Sequence, residues 1–342
     1  MRVLALVDGP VRPPDRWLWT YLRDQPDQVD FLHASPQDRF ARWGKLLGYY
    51  PAYLALGLRA LRQSRRLPYD LVVAWESKAG LPLAFWRALT GVREPPLLTL
   101  AFAYKGLATR AVAWGRWAAR AMDHATVAAP AEVHYYARLL RLPEARFTCC
   151  LLGGYDPYAG ALAERPGGDY IFAGGRSERD YATLVRAVAG LDARLIINAR
   201  AFNVRGLQPP PHVQIRAFAP PAEFLATMAG ARFVVVPLQD TPHAAGLSQV
   251  IDAMAGGRAV IATRTAHTPA YVQEGETGLL VPPYDADALH RAMAHLLAHP
   301  DQAERMGASA RRAYERQYTF EAFARRSHQV MRRVAACGGG VS

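Results

Sequence analysis

The sequence has little cysteine, almost no lysine and no long apolar run. Its three cysteines, of which Cys149 and Cys150 are neighbours, are too few for a disulfide framework, and no CxxC metal pattern occurs. The longest uncharged run, Leu46–Leu58, contains Pro51 and is shorter than the roughly 20 residues that a spanning helix needs. The N-terminus MRVLALVDGP lacks the apolar stretch of a signal peptide. These features predict a cytoplasmic protein without a membrane span.

Arginine dominates the charged residues. The 342 residues include 41 basic and 29 acidic side chains, which gives a net charge of +12, and only three of the basic residues are lysines. Hydrophobic residues make up 51%, so the chain is not intrinsically disordered, and its length suffices for two domains. The charge would attract nucleic acid, but the sequence contains no known RNA- or DNA-binding module, so nucleic acid is not expected as a partner.

Apolar runs alternate with helical periodicity along the chain, which is typical of parallel α/β sheets. The fold class is therefore α/β, with two Rossmann-like doubly wound domains. Strands are predicted at 2–7, 29–33, 70–75, 97–101, 124–129 and 147–151, and again at 170–173, 194–198, 213–216, 233–237, 259–262 and 279–281. Helices are predicted at 39–64, 79–90, 107–122, 130–141, 179–189, 221–230, 247–256, 286–298 and 300–333.

A stretch rich in glycine, proline and alanine separates the two domains. It predicts an N-terminal domain at 1–156, a C-terminal domain at 169–315, and a helix at 316–336 that covers the second sheet or crosses back to the first domain. Ligands of doubly wound sheets bind beyond the carboxyl ends of the strands. The two domains are therefore expected to face each other across a ligand-binding cleft.

The first candidate site follows the first strand of the second domain, in FAGGRSERDY. A glycine pair ending at Gly175 allows a tight turn, and Asp180 or Ser177 caps the next helix. Arg176 and Arg179 would then stand at the mouth of the cleft. Guanidinium groups grip phosphate oxygens in pairs, so a diphosphate is the predicted ligand. The alternative is a glycine turn with two solvated arginines.

The second candidate site is the start of the helix in AGLSQVIDAMAGG. The free N–H groups of Gly246, Leu247 and Ser248 can receive an anion. Asp252 lies one turn further on, and its carboxylate can accept hydrogen bonds from the two hydroxyls of a ribose. The alternative for Asp252 is a surface acid, which its apolar neighbours disfavour.

These segments resemble family 4 glycosyltransferases of the GT-B fold. AGLSQVIDAMAGGRAVIAT and GETGLLVPPYDADAL are similar to the family's donor-binding core, and FAGGRSERDYATLVRAV to its strand, basic loop and helix. ATVAAPAEVHYYARLLRLPEARFTCCLLGGYD resembles the end of its first domain, and MGASARRAYERQYTFEAFA its closing helices. The resemblance is good from about Asp123 onward.

The resemblance implies transfer of a sugar, of hexosyl type, from a nucleotide diphosphate donor to a saccharide, lipid-linked or small-molecule acceptor. It further implies retention at the anomeric carbon, no metal, no cofactor besides the donor, and a role in polysaccharide or glycolipid synthesis. By position, Arg176 and Arg179 would hold the diphosphate, and Asp252 the ribose. The family's sugar-contacting glutamate falls at Ala244, so Asp240 or His243 would have to replace it.

The first domain offers further candidates after its strands. Gly9 follows the first strand, in an acceptor-side or phosphate-side loop, and is a candidate for binding the nucleotide sugar. Glu76 and Lys78 follow the third strand and Lys105 the fourth, and with His243 they are possible acceptor or cleft residues. Residues 39–66 combine arginine with tryptophan and tyrosine and contain no acid. That composition suits an anionic membrane surface, or equally a helix packed on the sheet with a basic outer face.

Two other functions compete with glycosyl transfer. A non-catalytic GT-B protein that binds a nucleotide or a partner would tolerate Ala244. A nucleotide-dependent oxidoreductase is disfavoured, because neither 7–9 nor 173–175 completes a GxGxxG pattern.

Overall fold

The chain forms two compact units, each built around its own sheet. The computed structural model describes residues 1–9, 17–34, 50–104, 109–156, 158 and 168–338. The first unit contains Met1–Leu151 and the chain from Phe323 onward, and the second contains Leu152–Ala322. The first part of the first unit thus ends at Leu151, before the predicted boundary at 156. The second unit begins at Leu152 rather than at 169. The last helix belongs to the first unit.

The first unit is a six-stranded parallel sheet with helices between the strands. Its strands are β1 (Arg2–Val7), β2 (Gln28–His33), β3 (Leu71–Trp75), β4 (Leu97–Leu100), β5 (His124–Val127) and β6 (Phe147–Cys149). Its helices are α1 (Tyr50–Arg66), α2 (Glu76–Thr90), α3 (Thr109–Ala119) and α4 (Pro130–Leu140). The strand order is β2-β1-β3-β4-β5-β6. The strands are almost continuously apolar because helices cover both faces of a parallel sheet.

The second unit repeats this design. Its strands are β7 (Tyr170–Gly174), β8 (Arg194–Ala199), β9 (Val213–Ala217), β10 (Val234–Val236), β11 (Val260–Thr263) and β12 (Gly278–Val281), in the order β12-β11-β10-β7-β8-β9. Its helices are α5 (Tyr181–Val188), α6 (Pro221–Ala229), α7 (Leu247–Ala255), α8 (Ala286–Ala298) and α9 (Pro300–Ala313). A π-helical turn, Tyr314–Tyr318, follows α9. The prediction of two doubly wound sheets is confirmed.

The C-terminal helix α10 (Phe320–Gly338) packs on the first unit from Phe323 onward. Its His328 Nε2 lies 2.8 Å from a carboxylate oxygen of Asp27, and both side chains are less than a tenth exposed. Phe323 meets Trp75 at the end of β3 in an edge-to-face contact with the ring centroids 6.1 Å apart. This helix is therefore an integral part of the first unit's core.

All twelve predicted strands are present, while several helix ends differ from the prediction. Helix α2 begins at Glu76 rather than at 79, because Glu76 adopts a left-handed conformation (φ 58°) that turns the chain directly from strand into helix. Glu76 and Lys78 therefore lie in the first helical turn. Residues 39–49 of the first predicted helix lie outside the described residues. Among the helices of the described residues, none is both long and apolar enough to cross a bilayer.

Each sheet has one point where its strand order reverses, and this point directs attention to particular loops. The reversal lies between β1 and β3 in the first sheet and between β7 and β10 in the second. Beyond the carboxyl ends of such neighbouring strands the loops part and leave a crevice for a ligand. Most of the predicted site residues lie in the segments that follow these four strands, whereas Asp252 lies on α7 and Lys105 follows β4.

Candidate functional site

In the second unit, the loops after β7 and β10 are joined by main-chain hydrogen bonds. The amide of Asp180 donates to the carbonyl of Pro237 over 3.1 Å, and the amide of Gln239 donates to the carbonyl of Glu178 over 3.0 Å. Asp180 also caps α5, since its carboxylate accepts from the amide of Thr183. The two loops thus form one rigid edge at the strand-order reversal.

Arg179 is buried under this edge rather than exposed at the mouth of a cleft, which corrects the prediction for this residue. It is 8% exposed. Its Nε donates to the carbonyl of Gly174 at 2.9 Å, its Nη1 to the carbonyl of Ser177 at 2.6 Å, and its Nη2 to Oε1 of Gln249 at 3.0 Å. Burial lowers the pKa of the guanidinium from its usual value. Arg179 therefore ties the loop after β7 to helix α7.

Two glycines make room for the guanidinium. A side chain on Gly175, whose φ is 109°, would overlap the guanidinium of Arg179. A Cβ on Gly246, whose φ is 74°, would lie 3.2 Å from Nη1 of Arg179 and 2.6 Å from a methyl group of Leu238. Both positions therefore require glycine for conformation and for space.

Arg176 and Ser177 remain exposed and line an open pocket of about 440 Å³. The pocket's other side is formed by Phe202, which is 67% exposed, and Asn203, whose Nδ2 donates to the carbonyl of Arg176 at 3.1 Å. Phe202 and Asn203 follow β8 and were not predicted from the sequence. The sequence signal that could have identified Phe202 is a phenylalanine shortly after a predicted strand, in a loop where a polar residue is expected.

The start of helix α7 lies against Arg179. Gly246 precedes the helix, Leu247 is buried, and Ser248 is exposed in the first turn. Gln249 is 3% exposed and contacts Arg179 through its carboxamide oxygen. The structure thus brings Arg179 to the helix start that the sequence predicted as an anion site, through a glutamine that the sequence did not single out.

Asp252 is half-buried on α7, close to Gly154 and Tyr158. A Cβ on Gly154 would lie 3.7 Å from Oδ1 of Asp252, and the carboxylate charge acts on the Tyr158 hydroxyl. Burial raises the pKa of Asp252 to about 7. Among the described residues, no side chain forms an ion pair with it. The carboxylate is therefore desolvated and can accept hydrogen bonds from a ligand.

The loop before α7 holds the two residues predicted to replace the missing glutamate. His243 is 8% exposed, and its Nε2 lies 3.5 Å from Oε1 of Glu178. Glu178 itself adopts a left-handed conformation with φ 53°. Asp240 is exposed, and its amide donates to the hydroxyl of Tyr284 at 3.0 Å. His243 is thus held by Glu178, while the carboxylate of Asp240 faces solvent.

In the first unit, the residues after β1 and β3 form an ionic cluster. Lys78 pairs with Asp8 and lies 3.1 Å from the carboxylate of Glu76, and the hydroxyl of Tyr53 donates to Asp8 at 2.7 Å. Burial opposes the charge of Lys78, but the hydrogen bond that Lys78 donates to Asp8 and the charges of Glu76 and Asp8 outweigh burial, so the pKa of Lys78 is raised.

The remaining first-unit candidates are less well defined. No atom of the described residues lies within 4 Å of a Cβ placed on Gly9. Lys105 lies outside the described residues. No group of three or more His, Cys, Asp or Glu side chains in the described chain has the geometry to hold a metal ion.

Part of the second unit is similar to known proteins. Residues 171–299 match the family described as Glycosyl transferases group 1. The chain is 30% identical over 141 residues to the D-rhamnosyltransferase WbpZ of Pseudomonas aeruginosa. The matched region covers 41% of this chain and 35% of WbpZ, so only about a third of that relative is represented in the match.

Solved structures match nearly the whole chain. Sucrose-phosphate synthase of Thermosynechococcus elongatus has a TM-score of 0.74 at 20% identity and covers 98% of this chain and 99% of its own. Anabaena HepE in complex with UDP has a TM-score of 0.69 at 14% identity and covers 97% and 100%. The chain therefore has the GT-B fold of these glycosyltransferase structures, and its residues 171–299 are similar to the family described as Glycosyl transferases group 1.

Proposed function

We propose that this protein transfers a sugar from a nucleoside diphosphate sugar to an acceptor hydroxyl. The observation that carries the proposal is the buried Arg179, which lies against the start of α7 beside the exposed Arg176 within the segment that matches the group 1 family. Positive charge and free helix N–H groups at one place are what a leaving diphosphate requires. The D-rhamnosyltransferase relative and the UDP complex of HepE support a nucleotide-linked sugar as the donor.

In the proposed reaction, the bond between the anomeric carbon and the diphosphate oxygen breaks, and the acceptor oxygen forms the new bond to that carbon. Arg176 and the N–H groups at Ser248 stabilise the negative charge that develops on the departing diphosphate. Arg179 contributes a further positive charge from its buried position beside helix α7. Asp252 accepts hydrogen bonds from the ribose and fixes the nucleotide. The acceptor proton leaves with the nucleoside diphosphate.

The proposal also covers the enzyme family, the stereochemistry of transfer, the donor sugar, the acceptor and the cellular location. The quoted motifs support membership of family 4, retention of anomeric configuration, and a hexosyl donor. Fixed guanidinium charge can neutralise the leaving group, which supports a reaction without a metal or a further cofactor. The acceptor is proposed to be a saccharide, a lipid-linked sugar or a small molecule, in polysaccharide or glycolipid synthesis in the cytoplasm. In the first unit, Glu76 and Lys78 are proposed to lie on the acceptor side.

A panel of nucleoside diphosphates tests the donor assignment. At least one member is expected to raise the melting temperature, because a ligand that binds only the native state stabilises it by about 2.7 kcal/mol at 100 times its Kd. The measurement is thermal unfolding with UDP, GDP, ADP, CDP and dTDP, with the matching nucleosides as controls. If no diphosphate raises the melting temperature, the donor proposal loses its main support.

A non-catalytic nucleotide- or partner-binding protein is the second candidate, and Ala244 favours it. Alanine offers no polar group to a sugar at the position where the resembling family has a glutamate. Hydrolysis or transfer of any nucleotide sugar by the purified protein would exclude this candidate. Diphosphate binding without either reaction would favour it.

We also propose peripheral attachment to an anionic membrane through the first unit, which extends the prediction for residues 39–66. Arg62, Arg65 and Arg66 are exposed on α1, a helix without acidic residues. Helix α3 exposes Trp114 (37%) and Trp117 (38%), and both rings pack on Phe85 of α2. Helices α1 and α3 both pack on α2, and exposed tryptophan and arginine side chains suit the headgroup region of a bilayer.

Replacing Arg62, Arg65 and Arg66 by glutamine is expected to weaken binding to vesicles of phosphatidylcholine and phosphatidylglycerol. Each arginine near an anionic surface contributes about 1 kcal/mol, so the triple variant should bind on the order of 100-fold more weakly. Vesicle sedimentation at low and high salt measures this effect. Trp114→Ala with Trp117→Ala should also weaken binding, whereas Phe218→Ala, which removes a 37% exposed ring from the second unit, should not. Equal binding to neutral vesicles would contradict the proposal.

A further inference from the structure

Arg179 is a buried cation whose hydrogen-bond partners are all neutral. They are two main-chain carbonyl oxygens, of Gly174 and Ser177, and the carboxamide oxygen of Gln249. In the described part of the chain, no carboxylate oxygen lies within 4 Å of the Arg179 guanidinium; the carboxylate of the adjacent Glu178 lies 3.5 Å from Nε2 of His243 and acts on Arg179 by its charge alone. Burying a charge without an opposite charge is unfavourable, so native proteins usually pair such a group.

Gln249 occupies the side-chain contact of Arg179 at which a carboxylate would pair directly with the guanidinium. It is the third residue of α7, it is 3% exposed, and its Oε1 accepts from Nη2 of Arg179 at 3.0 Å. A glutamate has the same length and would place a carboxylate oxygen at this position. The carboxamide supplies an acceptor that orients the guanidinium, but it supplies no negative charge.

The other half of the Gln249 carboxamide also lacks a partner. Its Nε2 is buried and makes no hydrogen bond to any described residue. The N–H groups of Leu247 and Ser248, in the same first turn of α7, likewise face no capping side chain, because Gly246 occupies the capping position. The Nε2 group of Gln249, the first N–H groups of α7 and the guanidinium of Arg179, which has no hydrogen-bonded carboxylate, therefore lie at the same helix start.

We infer that Gln249 is a positioning residue that orients Arg179 while keeping its charge available for an anionic ligand. The inference rests on the proposed diphosphate site and deepens it. A bound anion pairs with the Arg179 guanidinium, so ligand binding offsets the free-energy cost of burying this charge without a directly paired carboxylate. The residue at 249 thus sets the affinity for the diphosphate without touching the sugar.

The test is the charge substitution Gln249→Glu, compared with the uncharged isostere Gln249→Met. In Q249E the new carboxylate pairs with Arg179, so the ligand-free melting temperature is expected to equal or exceed that of the wild type. Affinity for inorganic pyrophosphate and for nucleoside diphosphates is expected to fall by about 30-fold or more. In Q249M both the melting temperature and the affinity are expected to fall, because Arg179 loses a hydrogen bond.

Gln214→Glu is the matched control. Gln214 is exposed on β9 of the same sheet, and its Oε1 accepts from Arg216 at 2.9 Å, so the change places a new carboxylate beside an arginine outside the site. Q214E should bind pyrophosphate as the wild type does. Thermal unfolding and calorimetric titration with pyrophosphate at pH 8 measure both quantities for every variant.

The outcomes separate this inference from the proposed function. If wild-type protein binds pyrophosphate but no nucleoside diphosphate, the nucleotide proposal fails and the role of Gln249 stands. If Q249E binds pyrophosphate like the wild type, the inference is overturned. It is also overturned if Q249E melts as low as Q249M, because that result indicates a purely structural role. A wild type that binds neither ligand overturns both.

Discussion

Arg176→Ala and Arg179→Ala are each expected to lower turnover of a nucleotide sugar by about 10²–10³-fold, because each removes fixed positive charge from the leaving diphosphate. Only Arg179→Ala should also lower the melting temperature. Arg179 is 8% exposed and joins the loop after β7 to Gln249, whereas Arg176 is exposed. Transfer or hydrolysis of the donor by purified protein gives the first quantity, and thermal unfolding gives the second.

Arg186→Ala is the control for these variants. Arg186 is exposed on α5 of the same unit, and its Nη2 donates to the hydroxyl of Thr183 at 3.0 Å. Its replacement should change neither turnover nor nucleotide affinity. Wild-type activity in both Arg176→Ala and Arg179→Ala would remove the two arginines from the mechanism.

The ligand-free protein is expected to lose stability between about pH 4 and pH 7 through Asp252. Burial raises the pKa of this carboxyl in the folded protein to about 7, whereas an unfolded chain has a value near 3.9. The folded state therefore binds the proton more tightly. The stabilising contribution is fully present below about pH 4 and is lost as the pH rises through 7. At 1.36 kcal/mol for each pKa unit, the change is at most about 4 kcal/mol.

Asp252→Asn should abolish this part of the pH dependence and raise the melting temperature at pH 8, since an amide carries no charge to desolvate. The same variant should bind nucleoside diphosphates more weakly, because it replaces one ribose acceptor by a donor. Thermal unfolding from pH 5 to pH 8, with and without diphosphate, measures both effects. Asp192→Asn, which alters an exposed carboxylate of the same unit, is the control. Parallel stability curves for Asp252→Asn and wild type would refute the assignment.

Much of the fold could be predicted because its signals are local. Helix α8 was predicted at 286–298 and is found at Ala286–Ala298, where the Asp285 side chain accepts from the amide of Ala288 at 2.8 Å. The cap and the apolar periodicity lie within a few residues of each other. The start of α2 was missed because the left-handed Glu76 permits an abrupt change from strand to helix, and glutamate gives no sequence signal for that conformation.

The candidate site was only partly predictable, because side-chain direction and depth depend on distant residues. The sequence placed Arg176 and Arg179 together as equivalent exposed arginines. In the structure, Gly175 and Gly246 open a space into which Arg179 folds back, and Arg176 stays outside. The contact with Gln249 joins residues seventy positions apart in the sequence. No local pattern encodes such a contact.

The division of the chain has a practical consequence for making fragments. The second unit is one uninterrupted stretch, Leu152–Ala322, whereas the first is completed only by the chain after Phe323. A recombinant fragment that stops at Leu151 lacks His328, the buried partner of Asp27, and the ring that covers Trp75. The second unit can therefore be expressed as one continuous fragment, whereas the first requires Met1–Leu151 to be joined through a linker to the segment that begins at Phe323.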